Sequence, residues 1–111
     1  MDLWIRAFTD LDIEFALAQT TRARWDSTRE MFRVCLRHDP EGCFVAEIGG
    51  ERVGMITTMR HERSAWVGNL IVTPDFRRRG IGERVVGHVV RRLGAGGIRT
   101  FWLEADPMVR G

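Results

Sequence analysis

Leu70-Ile71-Val72-Thr73-Pro74-Asp75-Phe76-Arg77-Arg78-Arg79-Gly80-Ile81-Gly82 is the stretch on which the reading of this chain turns. An apolar strand runs into a proline turn. Arginines follow in a row, then Gly-x-Gly, and then an amphipathic helix. The first N–H groups of a helix have no intrahelical partner, and the helix dipole adds about half a positive charge there. Glycines let a ligand approach the backbone closely, and arginines favour phosphate oxygens. The physical expectation is a loop that cradles a pyrophosphate.

Downstream, Ile81, Val85, Val89 and Leu93 recur every four residues, while Glu83, Arg84, Arg91 and Arg92 face away. This predicts a helix over 81–93, closed by Gly94-Ala95-Gly96-Gly97. Ile98 to Ala105 reads as a last strand, ended by Asp106-Pro107. Upstream, Ala65 to Val72 is the strand that enters the loop. Gly68 interrupts it, which predicts a bulge. Arg52 to Arg60 is the strand before, with Val53, Met55 and Thr57 on one side. His61-Glu62-Arg63 makes the turn between them. Cys43 to Ile48 pairs with that strand through Gly49-Gly50, a two-residue turn whose positions both accept positive φ.

The first strand covers Leu3 to Phe8. Thr9 and Asp12 resemble a capping box opening a helix with Leu11, Phe15 and Ala18 on one stripe, ending near Thr21. Ser27-Thr28-Arg29-Glu30 opens a second helix. Met31, Val34, Cys35 and His38 form its expected face, and Asp39-Pro40-Glu41-Gly42 stops it. The order is β-α-α-β-β-β-α-β. Tight turns make strands 2–4 antiparallel, strand 1 is expected to be antiparallel with them, and the helical crossover makes strand 5 parallel to strand 4. The expected class is α/β, with a mixed sheet and helices on its faces.

The chain has 111 residues, which fits one domain spanning 1–111. It is 44% hydrophobic and 29% charged with a net charge of +2, ordinary values that do not demand a nucleic-acid partner. All 17 basic residues are arginine, so no lysine can act as a Schiff-base or phosphate-loop residue. Cys35 and Cys43 lack metal-ligand spacing and read as reduced thiols of a cytoplasmic protein, with no metal expected. No apolar run approaches a membrane span, and the N-terminus lacks the basic and apolar regions of a secretion signal.

Pro74 followed by Arg77-x-x-Gly80-x-Gly82 matches the R/Q-x-x-G-x-G/A signature of GNAT-type N-acetyltransferases. The chain resembles that superfamily in element order from about residue 3 to residue 107. The resemblance implies acetyl-CoA as co-substrate and transfer of its acetyl group to a primary amine of a small molecule or protein. It puts the pyrophosphate on Arg77, Arg78, Arg79, Gly80, Ile81 and Gly82, and the pantetheine arm on backbone groups of Leu70, Ile71 and Val72. A bulge near Gly68 and Asn69 would splay strand 4 from strand 5 and open the cleft. An N–H near Leu70 would receive the thioester oxygen. The connection Thr21 to Asp26 would line the acceptor side, with Trp25 available for stacking.

Related enzymes often carry a carboxylate base on the fourth strand, where this chain reads Val67-Gly68-Asn69. Asn69 can position substrate or water but cannot take a proton. Glu104 is the first candidate for the base, beside its plain reading as a solvated strand-end carboxylate. Complete family members continue with a fourth helix, two more strands and a tyrosine acid. This chain ends at Gly111 and has no tyrosine, so a C-terminally incomplete domain is expected. An unpaired fifth strand would then invite a homodimer through its edge.

Two other classes stay open. One is a binding module that holds acyl-CoA without turnover, separated from the enzyme by an assay for CoA release. The other is a basic nucleic-acid binder, betrayed by steep salt dependence. Against it, arginines outside the loop are interspersed with acids, and Trp4, Trp25, Trp66 and Trp102 read as core or rim rather than a stacking platform.

Overall fold

Runs of consecutive buried residues in β2 and β3 mark a sheet covered on both faces; the computed structural model describes residues 2–103. Strands β1 (Leu3–Ala7), β2 (Phe44–Ile48), β3 (Glu51–His61), β4 (Ser64–Val72) and β5 (Thr100–Leu103) lie side by side in chain order. The first four are antiparallel, and β5 runs parallel to β4. Helices α1 (Ile13–Arg22) and α2 (Arg29–His38) cover one face, and α3 (Ile81–Ala95) covers the other. The expected element order and mixed sheet are what forms.

The α3 face is built as its four-residue repeat requires. Ile81, Val85, Val89 and Leu93 are all buried, packed on Phe44, Val53, Ile56, Val67 and Val72. The β2–β3 hairpin turns on Gly49 and Gly50 with φ of 59° and 83°, values that side chains resist and glycine does not.

Elsewhere the phase of the apolar pattern differs from expectation. A 3-10 turn, Asp10–Asp12, precedes α1. Its tighter winding rotates the helix that follows, so Leu11 is 84% exposed and Ala18 is also exposed. The buried stripe is Ile13, Ala16, Gln19 and Thr20 instead. The buried Thr20 hydroxyl is satisfied by donating to the Ala16 carbonyl at 3.0 Å.

In α2 the inward set is shifted by one residue. Phe32 is buried, with Cys35 and Leu36 packed beside it, while Met31 and Val34 are exposed. Both sets have helical spacing, and the aromatic side chain settles the phase because it hides more area and stacks on Phe8 with centroids 6.1 Å apart. The cap is Thr28, whose hydroxyl accepts from Met31 N–H at 3.2 Å; Glu30 pairs with Arg37 at 2.8 Å.

Val53 and Met55 do not share a face. The β2–β3 register steps from Ala46–Gly54 to Glu47–Arg52, so Val53 is an inserted residue and turns toward α3 while Met55 turns toward α1 and α2. Trp4, Trp66 and Trp102 are exposed rather than core, and the last two stack across β4 and β5 with centroids 5.7 Å apart. No helix among the described residues is long and apolar enough to cross a membrane.

Candidate functional site

The interior strand β4 delivers its C-terminal end directly to the arginine loop. Thr73 N–H bonds the Val53 carbonyl at 2.8 Å, which keeps the chain in the sheet until Pro74 forces a 3-10 turn over Pro74–Phe76. Arg78 then takes φ 65° and Gly80 takes φ 77°, two left-handed residues that reverse the chain into α3.

Helical bonding starts with Arg84 N–H to the Gly80 carbonyl at 3.1 Å. The N–H groups of Ile81, Gly82 and Glu83 therefore precede the ladder, and the helix has no side-chain cap. Gly82 has no need of its own to be glycine. A Cβ there would meet only Val72 Cγ2, at an ordinary 3.8 Å. The protein leaves that space open in front of unpartnered amides, which suits close approach by a ligand. Thr73 Oγ1, just before the loop, is buried and has no hydrogen-bond partner. These features fit a diphosphate with an attached polar arm.

The three loop arginines behave differently. Arg77 folds back, its Nε donating to the Val72 carbonyl at 2.9 Å. Arg79 lies over the Phe76 ring, 5.1 Å from its centroid. Arg78 carries the left-handed backbone, with φ 65°. Only the sequence signature suggested a common role; the brace formed by Arg77 was not readable from it.

Ile71 and Val72 bury their side chains on opposite faces of the sheet, and Leu70 packs partly against the α3 cluster. What these residues can offer a ligand is backbone. Pairing of β4 with β5 runs from Ser64–Thr100 to Val67–Leu103. Beyond Val67, the outer edge of β4 has no ladder partner among the described residues.

The bulge expected at Gly68 forms one step further along. The β3–β4 register moves from Met55–Ile71 to Thr57–Gly68, so Asn69 and Leu70 together oppose Ile56. Asn69 has φ 48° and donates from Nδ2 to Thr57 Oγ1 at 3.0 Å. Glu104 lies outside the described residues, as does the end of the strand expected to reach Ala105.

Two clefts, of about 550 and 390 Å³, lie instead along the flank of α3 and share His88 and Arg91. His88 is half-buried, its ring edge-on to Phe44 with centroids 5.0 Å apart. Burial, then the charges of Arg92 and Arg91, push its pKa below the ordinary imidazole value.

The family model for the acetyltransferase (GNAT) family matches residues 4–108. The chain belongs to the GNAT family. An acetyltransferase of Pectobacterium atrosepticum is 33% identical to this GNAT chain over 99 residues, covering 84% of this chain and 69% of its own. An uncharacterized N-acetyltransferase of Methanocaldococcus jannaschii is 27% identical over 97 residues, and the match spans 81% of this chain but only 40% of that relative. Ard1 from Thermoplasma volcanium shares the fold, with a TM-score of 0.87 at 23% identity over 96% of this chain and 74% of its own.

Proposed function

We propose that this GNAT chain binds acetyl-CoA at the β4–α3 junction and transfers the acetyl group to a primary amine. One observation carries the reading. The amides of Ile81, Gly82 and Glu83 precede the helical ladder beside a glycine whose missing side chain the fold does not require. Oriented N–H groups with clearance are what a diphosphate needs. Arg78 and Arg79 add charge, and the orphaned Thr73 hydroxyl is a donor for the arm that follows.

The backbone edge of β4 from Leu70 to Val72 would hold the pantetheine arm and bring the thioester to the bulge. There the free amine attacks the carbonyl carbon. A C–N bond forms, and the thioester oxygen gains charge that a strand amide near Leu70 stabilises. The C–S bond then breaks, the thiolate leaves and takes a proton, and the nitrogen loses one. Asn69 would position the amine or a water, since an amide side chain cannot accept the proton. Glu104 remains the carboxylate proposed for that step, on its position after β5 alone. Such chemistry on a soluble amine suits a cytoplasmic setting.

Calorimetric titration with CoA, followed by a CoA-release assay over a panel of amines, tests the reading. Micromolar CoA binding with amine-dependent release is expected. An absence of CoA binding overturns it, and binding without release would leave an acyl-CoA-binding module.

A further inference from the structure

The β4 bulge is held by a residue outside the loop and outside the strand that carries it. Thr57 sits in the middle of β3 and is only 4% exposed. Its Oγ1 accepts from Asn69 Nδ2 at 3.0 Å and donates to the Gly68 carbonyl at 3.3 Å. One hydroxyl thus ties a backbone carbonyl and a side chain on either side of the same peptide link.

This grip matters because Asn69 lies at φ 48°. Asparagine tolerates the left-handed region better than most side chains, yet such a residue persists only where its surroundings fix it. A bulge takes one residue out of the ladder and re-aims its backbone groups. Without the hydroxyl, no other hydrogen bond among the described residues holds the Asn69 side chain, and the strand is free to return to regular pairing.

We propose that Thr57 is a positioning residue for acyl transfer, its hydroxyl locking the Gly68–Leu70 bulge so that the freed strand amide stays aimed at the thioester oxygen. The inference rests on the function proposed above, but not on the pyrophosphate loop. Thr57 touches neither cofactor nor acceptor in this scheme; it acts through Asn69 and Gly68.

Thr57→Val keeps the shape and removes the hydroxyl, and Thr57→Ser keeps the hydroxyl. An oxyanion donor is worth about 100-fold or more in kcat, so a loosened one costs about tenfold. The expected result for Thr57→Val is that kcat falls about tenfold while the KM for acetyl-CoA and the calorimetric CoA affinity stay within about twofold. Thr57→Ser restores kcat. Amide hydrogen exchange at residues 68–70, measured without any cofactor, rises about tenfold in Thr57→Val and returns in Thr57→Ser. Should Thr57→Val fail to fold, Asn69→Ala breaks the same link from the more exposed end; because Asn69 is itself placed at the substrate, the exchange rise at residues 68–70, and not kcat, then decides.

Unchanged exchange at the bulge overturns the inference. So does a wild-type kcat in Thr57→Val, or a loss shared equally by kcat, KM and CoA affinity. Exchange is read on the free chain. A wild-type protein that ignores CoA would therefore sink the proposed function while the exchange data still decide the role of Thr57.

Discussion

Arg77 Nε donates to the carbonyl of Val72 at 2.9 Å, closing the arginine loop back onto the strand that feeds it. The bond spans the whole Pro74 turn. It satisfies a strand-end carbonyl and fixes where the loop amides point. The first arginine of the signature is thus a brace, whereas Arg78 is not bonded back in this way among the described residues.

Arg77→Lys should separate brace from charge. Lysine keeps the positive charge but lacks a planar Nε–H donor. A charge-assisted hydrogen bond contributes about 1.5–3 kcal/mol, and part of it is spent on loop order. CoA affinity should fall about tenfold in Arg77→Lys, with the salt dependence of binding unchanged. Arg78→Gln should do the reverse, flattening the salt dependence while relieving a left-handed residue of little else. Calorimetry at two ionic strengths distinguishes them, and identical behaviour of the two variants would count against the division of roles.

Gly80 and Gly82 should also part company. Gly80 has φ 77°, so Gly80→Ala is strained in the fold itself and should lower stability by about 1 kcal/mol. Gly82 is helical, and a Cβ would meet only Val72 Cγ2 at 3.8 Å. Gly82→Ala should leave the melting temperature equal or higher, since alanine favours helix over glycine by about 1 kcal/mol. A bulky side chain at 82 should instead abolish CoA binding with the fold intact. Melting curves and CoA titrations on the same samples check both halves.

How far the sequence reaches follows from these elements. The α3 stripe and the Gly49-Gly50 turn are local patterns, each complete within a few residues, and both form as read. The faces of α1 and α2 do not, because a 3-10 turn in front of α1 and the bulk of Phe32 in α2 set the phase. Neither effect shows in spacing alone. At the site, the helix N-terminus was legible because it is one contiguous segment. The Thr57–Asn69 link was not, since it depends on cross-strand register between residues 12 apart, and a bulge shifts that register.

Asp12 gives a stability prediction at the other end of the sheet. Its carboxylate is fully buried, accepting from Arg6 at 2.8 and 2.9 Å, from Arg52 at 2.7 Å and from Thr9 N–H at 2.9 Å. Burial alone would raise its pKa; the bonds from Arg6, Thr9 and Arg52 outweigh that and hold the carboxyl well below the usual carboxylate range. Its contribution is then present above the unfolded value, near 4, and drains away as the pH falls below it. Asp12→Asn should cost about 2 kcal/mol at pH 7, less than a wholly buried pair because both guanidiniums are partly exposed. Urea midpoints should show the gap narrowing as pH drops from 4. A gap constant with pH would mean that the amide replaces the carboxylate without electrostatic loss.

His88 works in a different pH window. Burial against Phe44, then the charges of Arg92 and Arg91, depress its pKa below the ordinary value near 6.5. The folded chain therefore binds fewer protons than the unfolded one at mildly acidic pH. Stability contributed by the neutral ring is fully present at pH 7 and falls as the pH drops through 6.5 toward the folded value. His88→Gln removes the titration while keeping a polar side chain of similar reach. The wild type should lose stability between pH 6.5 and 5, and the variant should be flatter across that interval, although less stable at pH 7 because it forgoes the edge-on ring contact. Thermal melts at half-unit steps measure the two slopes. Parallel profiles would assign the acid sensitivity of this region to other groups and remove His88 from the account.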